Sequence, residues 1–290
     1  MSDKTAISWT DATYNPVTGC SKVSPGCEHC FAEALSHRYG WTTKPWTMPN
    51  AAENVQLHPD RLDQPLRWRK PRRIFVNSMS DLFHPEVPDQ FLVDVFSVMA
   101  EASHHTFQIL TKRPNRARDF LTGESIANDV WLQTSRGVDG RPSPWPLPNV
   151  WLGISAEDQR RADERIPVLQ DTPAAVRFIS AEPLLGPLDL SAFRPFEGTC
   201  YCQDEPDGCK PRFAIDCPEA GIDWVIAGAE SGPHARTMND DWVRSLRDQC
   251  TNAGVAFFFK QRCHNGRKEV DPVLDGRQWL EYPENKEGSL

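Results

Sequence analysis

The chain has 290 residues, of which 39% are hydrophobic and 25% are charged, and its formal net charge is -8 at pH 7. These proportions are ordinary for a globular protein, and this length suits one large domain or two small ones. The negative charge argues against a protein that coats duplex DNA, because such a protein needs a basic surface to displace counterions from phosphates. The apolar runs are too short to span a bilayer and the N-terminus has no signal-peptide pattern, so we predict a cytoplasmic protein without membrane contact.

Short β-branched or aromatic runs alternate with helix-like stretches along the chain, which is typical of parallel strands joined by helices. The predicted strands cover residues 12–17, 74–77, 107–111, 150–155, 176–180, 224–227 and 255–259. The spacing of apolar residues predicts helices over residues 31–39, 88–103 and 240–253. We therefore predict an α/β fold in which one domain, residues 1–290, is a partial (βα)6-type TIM-like barrel of parallel strands with inserted loops and with its site at the carboxyl ends of the strands. An open doubly wound sheet is the alternative.

Two stretches interrupt this alternation and are predicted to be inserted loops. Residues 123–148 are rich in Gly, Pro, Ser and Trp, and residues 196–221 form a cysteine-rich insertion. Four cysteines of this insertion suit a structural zinc ion or an auxiliary iron-sulfur cluster, with free surface thiols as the alternative: Cys200, Cys202, Cys209 and Cys217.

Nine cysteines in a chain without a secretion signal indicate metal ligands or reduced thiols, since the cytosol keeps thiols reduced. Cys20, Cys27 and Cys30 lie in one short loop with glycine and proline, which allows three thiolates to surround one metal centre. A [4Fe-4S] cluster normally has four cysteine ligands, so three would leave one iron open to a small molecule. A zinc site completed by His29 or His37 is the competing interpretation.

The C-x6-C-x2-C spacing of these cysteines resembles the radical S-adenosylmethionine (SAM) signature C-x3-C-x2-C, with a longer first gap and with His29 at the usual aromatic position. Nearly the whole chain is similar to a family of phage- and prophage-associated three-cysteine proteins of the radical SAM type. The similar segments are residues 7–10, 15–20, 110–114, 151–155, 181–187, 227–233 and 258–261. The resemblance implies that Cys20, Cys27 and Cys30 bind a [4Fe-4S] cluster. It also implies cleavage of SAM to a 5'-deoxyadenosyl radical, with electrons from a donor such as a flavodoxin or ferredoxin.

Polar residues follow several predicted strands, at the edge where the site of a barrel is expected. Ser78, Ser80 and Asp81 follow one strand, where the resemblance implies a site for the SAM amino group. Ser155 and Glu157 follow another strand and are suited to hold the ribose hydroxyls. Helix caps and hydrogen bonds to loop amides are the alternative role for each of these residues.

Glu182 and Glu230 follow two further strands and are candidate catalytic residues. Lys112 and Lys260 are also candidates, and because both directly follow strands we predict that their side chains point inward. They begin the last two of three basic runs, which cover residues 67–73, 112–118 and 260–268. If these last two runs share the mouth of the barrel, they would form a cationic rim able to contact phosphates. Solvated surface charge is the alternative for each run.

Residues 80–85 resemble a strand-end motif of radical SAM proteins related to spore photoproduct lyase, which act on thymine in DNA. Together with the phage association, this resemblance implies a nucleic-acid base as substrate, with DNA favoured, for repair or modification in the host cytoplasm if the protein is phage-encoded. A small metabolite or a peptide is the alternative substrate. A base inside a duplex must first be flipped out of the stack. Two alternatives stay open: a zinc-stabilised nucleic-acid-binding protein without catalysis, and a cluster-binding barrel without SAM chemistry.

Overall fold

The computed structural model describes residues 5–134, 144–193, 221–232, 234–264 and 267–283. Its strands are Ala12–Tyr14 (β1), Val17–Thr18 (β2), Gln56–Leu57 (β3), Arg73–Val76 (β4), Thr106–Thr111 (β5), Val150–Ser155 (β6), Val176–Ala181 (β7), Trp224–Gly228 (β8), Ala256–His264 (β9), Arg267–Val270 (β10), Val273–Leu274 (β11) and Arg277–Gln278 (β12). Its helices are Phe31–Arg38 (α1), Ala51–Asn54 (α2), Asp89–Glu101 (α3), Pro114–Leu121 (α4), Ile126–Leu132 (α5), Gln159–Gln170 (α6) and Asp240–Ala253 (α7). None of the described helices combines the length and the apolar character needed to cross a membrane.

Seven parallel strands form most of the main sheet, and they occur in it in the same order as along the chain. The order is β1, β4, β5, β6, β7, β8 and β9, and β10 pairs with the last of them in antiparallel direction. A doubly wound sheet reverses its strand order at one point, and the described sheet has no such reversal. The prediction of an α/β fold with a mainly parallel sheet is confirmed.

The contacts of Trp9 demonstrate that the sheet is curled. Its ring centroid lies 4.6 Å from that of Phe75 in β4 and 6.1 Å from that of Trp224 in β8. These strands are four positions apart in the sheet, which would separate them by about 19 Å in a flat sheet. The sheet therefore wraps around Trp9 as a half-barrel, with β1 and β10 at its two edges.

Alternate residues of each strand face two different cores. On the concave side, Trp9 packs with aromatic rings from the first halves of the strands, namely Trp151, Phe178, Trp224 and Phe258. The larger core lies on the convex side, between the sheet and the helices. Near the carboxyl ends of the strands the concave side carries polar residues such as Ser155 and Ser180 instead. The half-barrel thus has an aromatic floor beneath a polar mouth.

The helix predictions are largely confirmed, and α7 spans the predicted residues with a cap at each end. The Asn239 side chain accepts a hydrogen bond from the Asp241 amide at 2.9 Å, and Gly254 ends the helix with a φ of 67°. The ends of α1 and α3 lie within two residues of their predicted positions.

The two predicted loop insertions have different outcomes. The prediction for residues 123–148 is wrong in part, because the segment contains α5, whose Ile126 and Val130 lie one turn apart and are both buried. The insertion at residues 196–221 lies outside the described residues except for Gly221, and the same holds for its four cysteines, Cys200, Cys202, Cys209 and Cys217.

Candidate active site

The cysteine loop, residues 19–30, is attached to the carboxyl end of β4. Gly19 forms a parallel bridge with Ser80, just beyond that strand, and its amide donates to the Met79 carbonyl at 3.0 Å. Gly19 has a φ of 81°, and a Cβ on it would lie 1.9 Å from the carbonyl oxygen of Asn54, so only glycine fits. The loop ends at Cys30, which directly precedes the first residue of α1.

The three cysteines of the loop share one partly buried environment. Cys20 and Cys30 pack against the same small buried cluster of Ala32, Trp46 and Met79. Burial raises the pKa of Cys20 to about 12 and also raises the pKa of Cys30, and a charge on Cys27 adds to both increases. Among the described residues, no group of three His, Cys, Asp or Glu side chains stands close enough to hold one metal ion. Three cysteines in one loop offer the sulfur donors that soft metal ions prefer. The positive charge of such a metal favours the thiolate form of each cysteine.

Arg113 connects Cys20 to the end of β5. Its Nη1 lies 3.5 Å from Cys20 Sγ and 3.0 Å from Asp81 Oδ2, while Nη2 donates to the carbonyl and hydroxyl oxygens of Ser21. Although burial alone would lower its pKa, Asp81 and Cys20 keep the pKa of Arg113 above its ordinary value. A permanent positive charge therefore stands beside the Cys20 sulfur. The sequence places Arg113 in a basic run, but only the fold reveals that it reaches a cysteine.

Ser78, Ser80 and Asp81, predicted to hold the SAM amino group, make contacts within the protein. Asp81 accepts hydrogen bonds from a hydroxyl and from a backbone amide at the end of β5, at 2.7 and 3.0 Å. Ser78 Oγ donates to the side-chain oxygen of Asn15, and Ser80 Oγ donates to the Val17 carbonyl. These bonds join the end of β4 to β5 and to the chain that leads into the cysteine loop.

His84 extends this network to the residue after Cys20. Its Nε2 lies 2.8 Å from Ser21 Oγ, and its Nδ1 accepts a hydrogen bond from the Glu86 amide at 3.1 Å. Because Nδ1 is an acceptor, the neutral ring carries its proton on Nε2 and donates it to Ser21. Burial and the charge of Arg113 lower the pKa of His84 to about 4. A neutral imidazole therefore supports the start of the cysteine loop.

Glu157, predicted to bind ribose, holds the middle of the cysteine loop at the end of β6. The residue is fully buried, and its Oε1 accepts a hydrogen bond from the Gly26 amide at 3.2 Å. Its Oε2 accepts from Arg165 in α6 at 3.0 Å. Burial alone would raise the pKa of Glu157, but the charge of Arg165 keeps it below its ordinary value. The ionised carboxylate thus links the loop to a helix behind the sheet.

Glu230, a predicted catalytic residue, holds the cysteine loop at the end of β8. Its Oε2 lies 3.0 Å from His29 Nδ1 and also accepts hydrogen bonds from the amide and the guanidinium of Arg236. Burial alone would raise its pKa, but the hydrogen bonds from Arg236 and His29 lower the pKa of Glu230 to about 2. Arg236 in turn pairs with Glu28 of the loop at 2.9 Å. Contacts from the ends of β4, β5, β6 and β8 therefore surround the cysteines.

Five side chains form a polar row across the concave face of the half-barrel. Lys112 Nζ lies 3.0 Å from Ser155 Oγ, and Ser155 is paired in register with Ser180 of the next strand. Ser180 Oγ donates to Glu182 Oε2 at 3.2 Å, and Glu182 Oε1 lies 2.8 Å from Lys260 Nζ. Lys112 and Lys260 point inward, as predicted. The structure thus brings four predicted site residues together and adds Ser180, which the sequence analysis missed.

The polar row adjoins the cysteine loop and is shaped by a glycine. Burial raises the pKa of Cys30, and Lys112 is close enough for its positive charge to lower that pKa in part. At the other end of the row, a Cβ on Gly228 would lie 2.7 Å from Glu182 Oε1. The missing side chain leaves the space in which the Glu182 carboxylate meets Lys260.

Many cations of the three basic runs are paired with carboxylates of the same chain. Besides Arg113 with Asp81 and Lys260 with Glu182, the pairs are Arg67 with Asp63, Arg73 with Asp11, Arg116 with Asp89, Arg118 with Asp119 and Arg262 with Asp240. Such pairs neutralise charge that would otherwise attract phosphates. The described parts of the runs therefore carry less free positive charge than their sequences suggest.

A family model described as "Protein of unknown function (DUF5131)" matches residues 4–283. A search of the curated proteins found no match, and neither did a search of the solved structures. The matched region contains the cysteine loop, the polar row and every strand of the half-barrel. The chain therefore belongs to the DUF5131 family.

Proposed function

We propose that this protein is an enzyme of the radical SAM type, in which Cys20, Cys27 and Cys30 bind a [4Fe-4S] cluster at the mouth of a partial (βα)6-type TIM-like barrel. One observation carries the proposal: three thiols share one loop that is fastened to the carboxyl ends of four parallel strands, directly beside an inward-facing polar row. In parallel α/β folds, this edge of the sheet is where active sites lie.

The fit of a cluster rests on the charge balance of the loop. Burial raises the pKa of Cys20 and of Cys30, and the charge of Cys27 adds to both increases, so three thiolates need nearby positive charge in this partly buried position. Arg113 beside Cys20 and Lys112 near Cys30 supply part of this positive charge. Three cysteine ligands leave one iron of a [4Fe-4S] cluster without a protein ligand.

When bound, the cluster would supply the electron that cleaves SAM to methionine and a 5'-deoxyadenosyl radical. The residues of the chain supply binding, orientation and exclusion of water. We assign the Lys112 ammonium and the Ser155 hydroxyl to the carboxylate and the hydroxyl groups of SAM, because the charge of Lys112 acts on Cys30 and its ammonium contacts Ser155. The aromatic floor around Trp9 and Trp224 closes the half-barrel to water below.

The remaining predicted site residues divide into two groups. Glu182 and Lys260 form a charged pair at the far end of the polar row, and we assign them to the substrate. Ser78, Ser80, Asp81, Glu157 and Glu230 satisfy groups of the protein, and we assign them to holding the cysteine loop and the ends of its strands. The positioning role replaces the predicted contact with SAM for Ser78, Ser80, Asp81 and Glu157. For Glu230 it replaces the predicted catalytic role.

The proposed substrate is a nucleic-acid base, with DNA favoured, and the proposed electron donor is a flavodoxin or a ferredoxin. The similarity to phage-associated proteins and the resemblance of residues 80–85 to a thymine-directed motif support the substrate class. Reaction in the cytoplasm, of the host if the protein is phage-encoded, agrees with thiols that must stay reduced.

Metal analysis after anaerobic purification tests the cluster. Wild-type protein is expected to be brown, to contain iron and acid-labile sulfide, and to lose its visible absorption on reduction. Cys27→Ala should lose this iron, whereas the matched control Cys263→Ala should keep it, because Cys263 lies on β9 outside the cysteine loop. A colourless protein that holds zinc alone would favour a zinc-stabilised binding protein, and a brown protein that leaves SAM intact would favour a cluster-binding barrel without SAM chemistry.

A further inference from the structure

Exposed aromatic residues are concentrated beside the cysteine loop. Ten large hydrophobic side chains are exposed among the described residues, and five of them lie within residues 23–48: Val23, Phe31, Tyr39, Trp41 and Met48. All three exposed aromatic residues of the described chain are in this group, with exposures of 64% for Phe31, 59% for Tyr39 and 58% for Trp41. Singly exposed apolar residues are ordinary on a protein surface, whereas exposed apolar residues that are grouped mark interaction sites, so this concentration indicates a binding function.

Tyr39 and Trp41 form a stacked pair at the end of α1. Their ring centroids are 5.2 Å apart with an interplanar angle of 24°, and the Arg38 guanidinium lies 5.9 Å from the centroid of the Tyr39 ring. The backbone fixes this arrangement, because Gly40 has a φ of 67°, its amide donates to the His37 carbonyl, and the Trp41 amide donates to the Ser36 carbonyl. These are the hydrogen bonds of a Schellman motif. Trp41, which follows the glycine, stacks on Tyr39 instead of packing into the core.

The charge of this surface is positive around the stacked pair. Each glutamate of residues 20–53 is paired with a cation, since Glu28 pairs with Arg236, Glu33 with Lys22 and Glu53 with Lys44. Among the described residues, Arg38 has no such carboxylate partner, and its guanidinium contacts the Tyr39 ring. A cation without a carboxylate partner, beside flat aromatic faces, suits a phosphate with an adjacent base. Such a cation is notable in a chain whose net charge is -8.

We propose that Arg38, Tyr39 and Trp41, named here the aromatic platform, bind a single strand of nucleic acid. Bases stack on the exposed ring faces, and Arg38 contacts a backbone phosphate. This inference deepens the nucleic-acid part of the proposed function and rests on it. Phe31 lies about 12 Å from Tyr39 along the axis of α1, so a strand that follows the helix meets a second aromatic face close to Cys30. The platform thus leads the strand toward the mouth of the half-barrel.

A single strand is the occupant that the charge distribution favours. Duplex binding depends on several free cations that displace counterions, and many cations of the basic runs are already paired. Stacking on aromatic rings needs few phosphate contacts and works with any base. A single strand also presents its bases without prior flipping.

Fluorescence anisotropy with fluorescein-labelled 20-nucleotide oligo(dT) and oligo(U) at low salt tests the platform. The full chain is expected to bind at least one of them, and the two probes distinguish DNA from RNA. Trp41→Leu, which keeps apolar surface but removes the flat ring, should weaken binding about tenfold or more, whereas Trp41→Phe should retain most of it. Arg38→Ala should weaken binding and reduce its salt dependence. The matched control Arg160→Ala, which removes an exposed arginine of α6, should bind as wild type does.

The results separate this proposal from the cluster proposal. Cys27→Ala should bind the oligonucleotides as wild type does although it lacks the cluster. Absence of binding by wild type, or equal binding by Trp41→Leu and wild type, would overturn the platform and would leave SAM cleavage untouched. Self-association of the protein that is lost in Trp41→Leu, with no binding of oligonucleotides, would also overturn it and would assign the surface to a second copy of the chain.

Discussion

Glu230 and His29 are 201 residues apart in the chain, and Glu230 Oε2 lies 3.0 Å from His29 Nδ1. This contact joins the end of β8 to the residue that precedes Cys30. Arg236, whose side chain is 29% exposed, binds the same carboxylate and also Glu28 of the cysteine loop. The buried Glu230 therefore holds the second half of the loop in two ways, directly through His29 and indirectly through Arg236 and Glu28.

We expect Glu230→Ala to loosen the cysteine loop. The substitution removes the acceptor shared by His29 and Arg236 and should lower the free energy of unfolding by about 2 kcal/mol. Hydrogen-deuterium exchange measures the local effect, and the amides of residues 19–30 should exchange faster in the variant. The control is Glu269→Ala. It removes a half-exposed glutamate of β10 that pairs with Arg262, and it should leave the exchange of residues 19–30 unchanged. Equal exchange in the two variants would mean that Glu230 does not hold the loop.

Arg113 should be required for stability in the absence of any metal. Arg113→Met leaves Asp81 with its hydrogen bonds from β5 but without a counter-charge, at a cost of about 3 kcal/mol. Arg113→Lys keeps the charge but cannot reach Asp81, Ser21 and Cys20 together, so its loss should be smaller. Urea unfolding of the metal-free protein measures both. A loss for Arg113→Met no larger than that for the exposed control Arg160→Met would contradict the buried pairing.

The lowered pKa of His84 predicts that the protein loses stability in mild acid. Its pKa is about 4 in the folded protein, whereas an ordinary histidine has a pKa near 6.5. The unfolded chain therefore binds a proton that the folded chain does not, so stability falls as the pH decreases from about 6.5 to about 4, by up to about 3 kcal/mol. His84→Asn does not titrate, and its side-chain oxygen can accept from the Glu86 amide. We expect unfolding measured across this range to be less pH-dependent in the variant, and identical pH dependence would refute the neutral state of His84.

Gly153 is expected to tolerate no side chain. A Cβ at this position would lie 2.4 Å from ring atoms of Phe178, whose ring is confined by Trp9 and Trp224. Gly153→Ala should therefore lower the free energy of unfolding by about 1 to 3 kcal/mol through overpacking of the aromatic floor. Gly186→Ala is a matched control, since a Cβ there meets no atom within 4 Å. Thermal unfolding of the two variants is the measurement, and similar melting temperatures would disprove the tight packing.

The seven parallel strands of the main sheet and the inward direction of two lysines could be predicted from the sequence, because both follow from local patterns, whereas the short strands β3 and β10 to β12 could not. Alternation places Lys112 on the side of the sheet opposite to the buried Thr111, and Lys260 likewise opposite to Phe259. The role of Glu230 could not be predicted, since it depends on a residue 201 positions away. Helix α5 was missed because it is short and lies between Gly, Pro and Ser residues, so its buried residues at positions 126 and 130 form too brief a pattern.

The residues that hold the cysteine loop also explain why its three cysteines alone do not define the site. Spacing identifies Cys20, Cys27 and Cys30 as a group, and the fold adds Arg113, Glu157 and Glu230 as the groups that fix it. A short sequence motif cannot encode these contacts, because each comes from a different strand end.

Analysis of the products formed from SAM tests the central claim most directly. Anaerobically reconstituted protein with dithionite and SAM is expected to produce 5'-deoxyadenosine and methionine, Cys27→Ala should produce neither, and Cys263→Ala should match wild type. A single-stranded oligonucleotide is expected to change the rate or the extent of this cleavage. Reconstituted protein that carries iron and sulfide but leaves SAM intact, with and without the oligonucleotide, would contradict the radical SAM assignment.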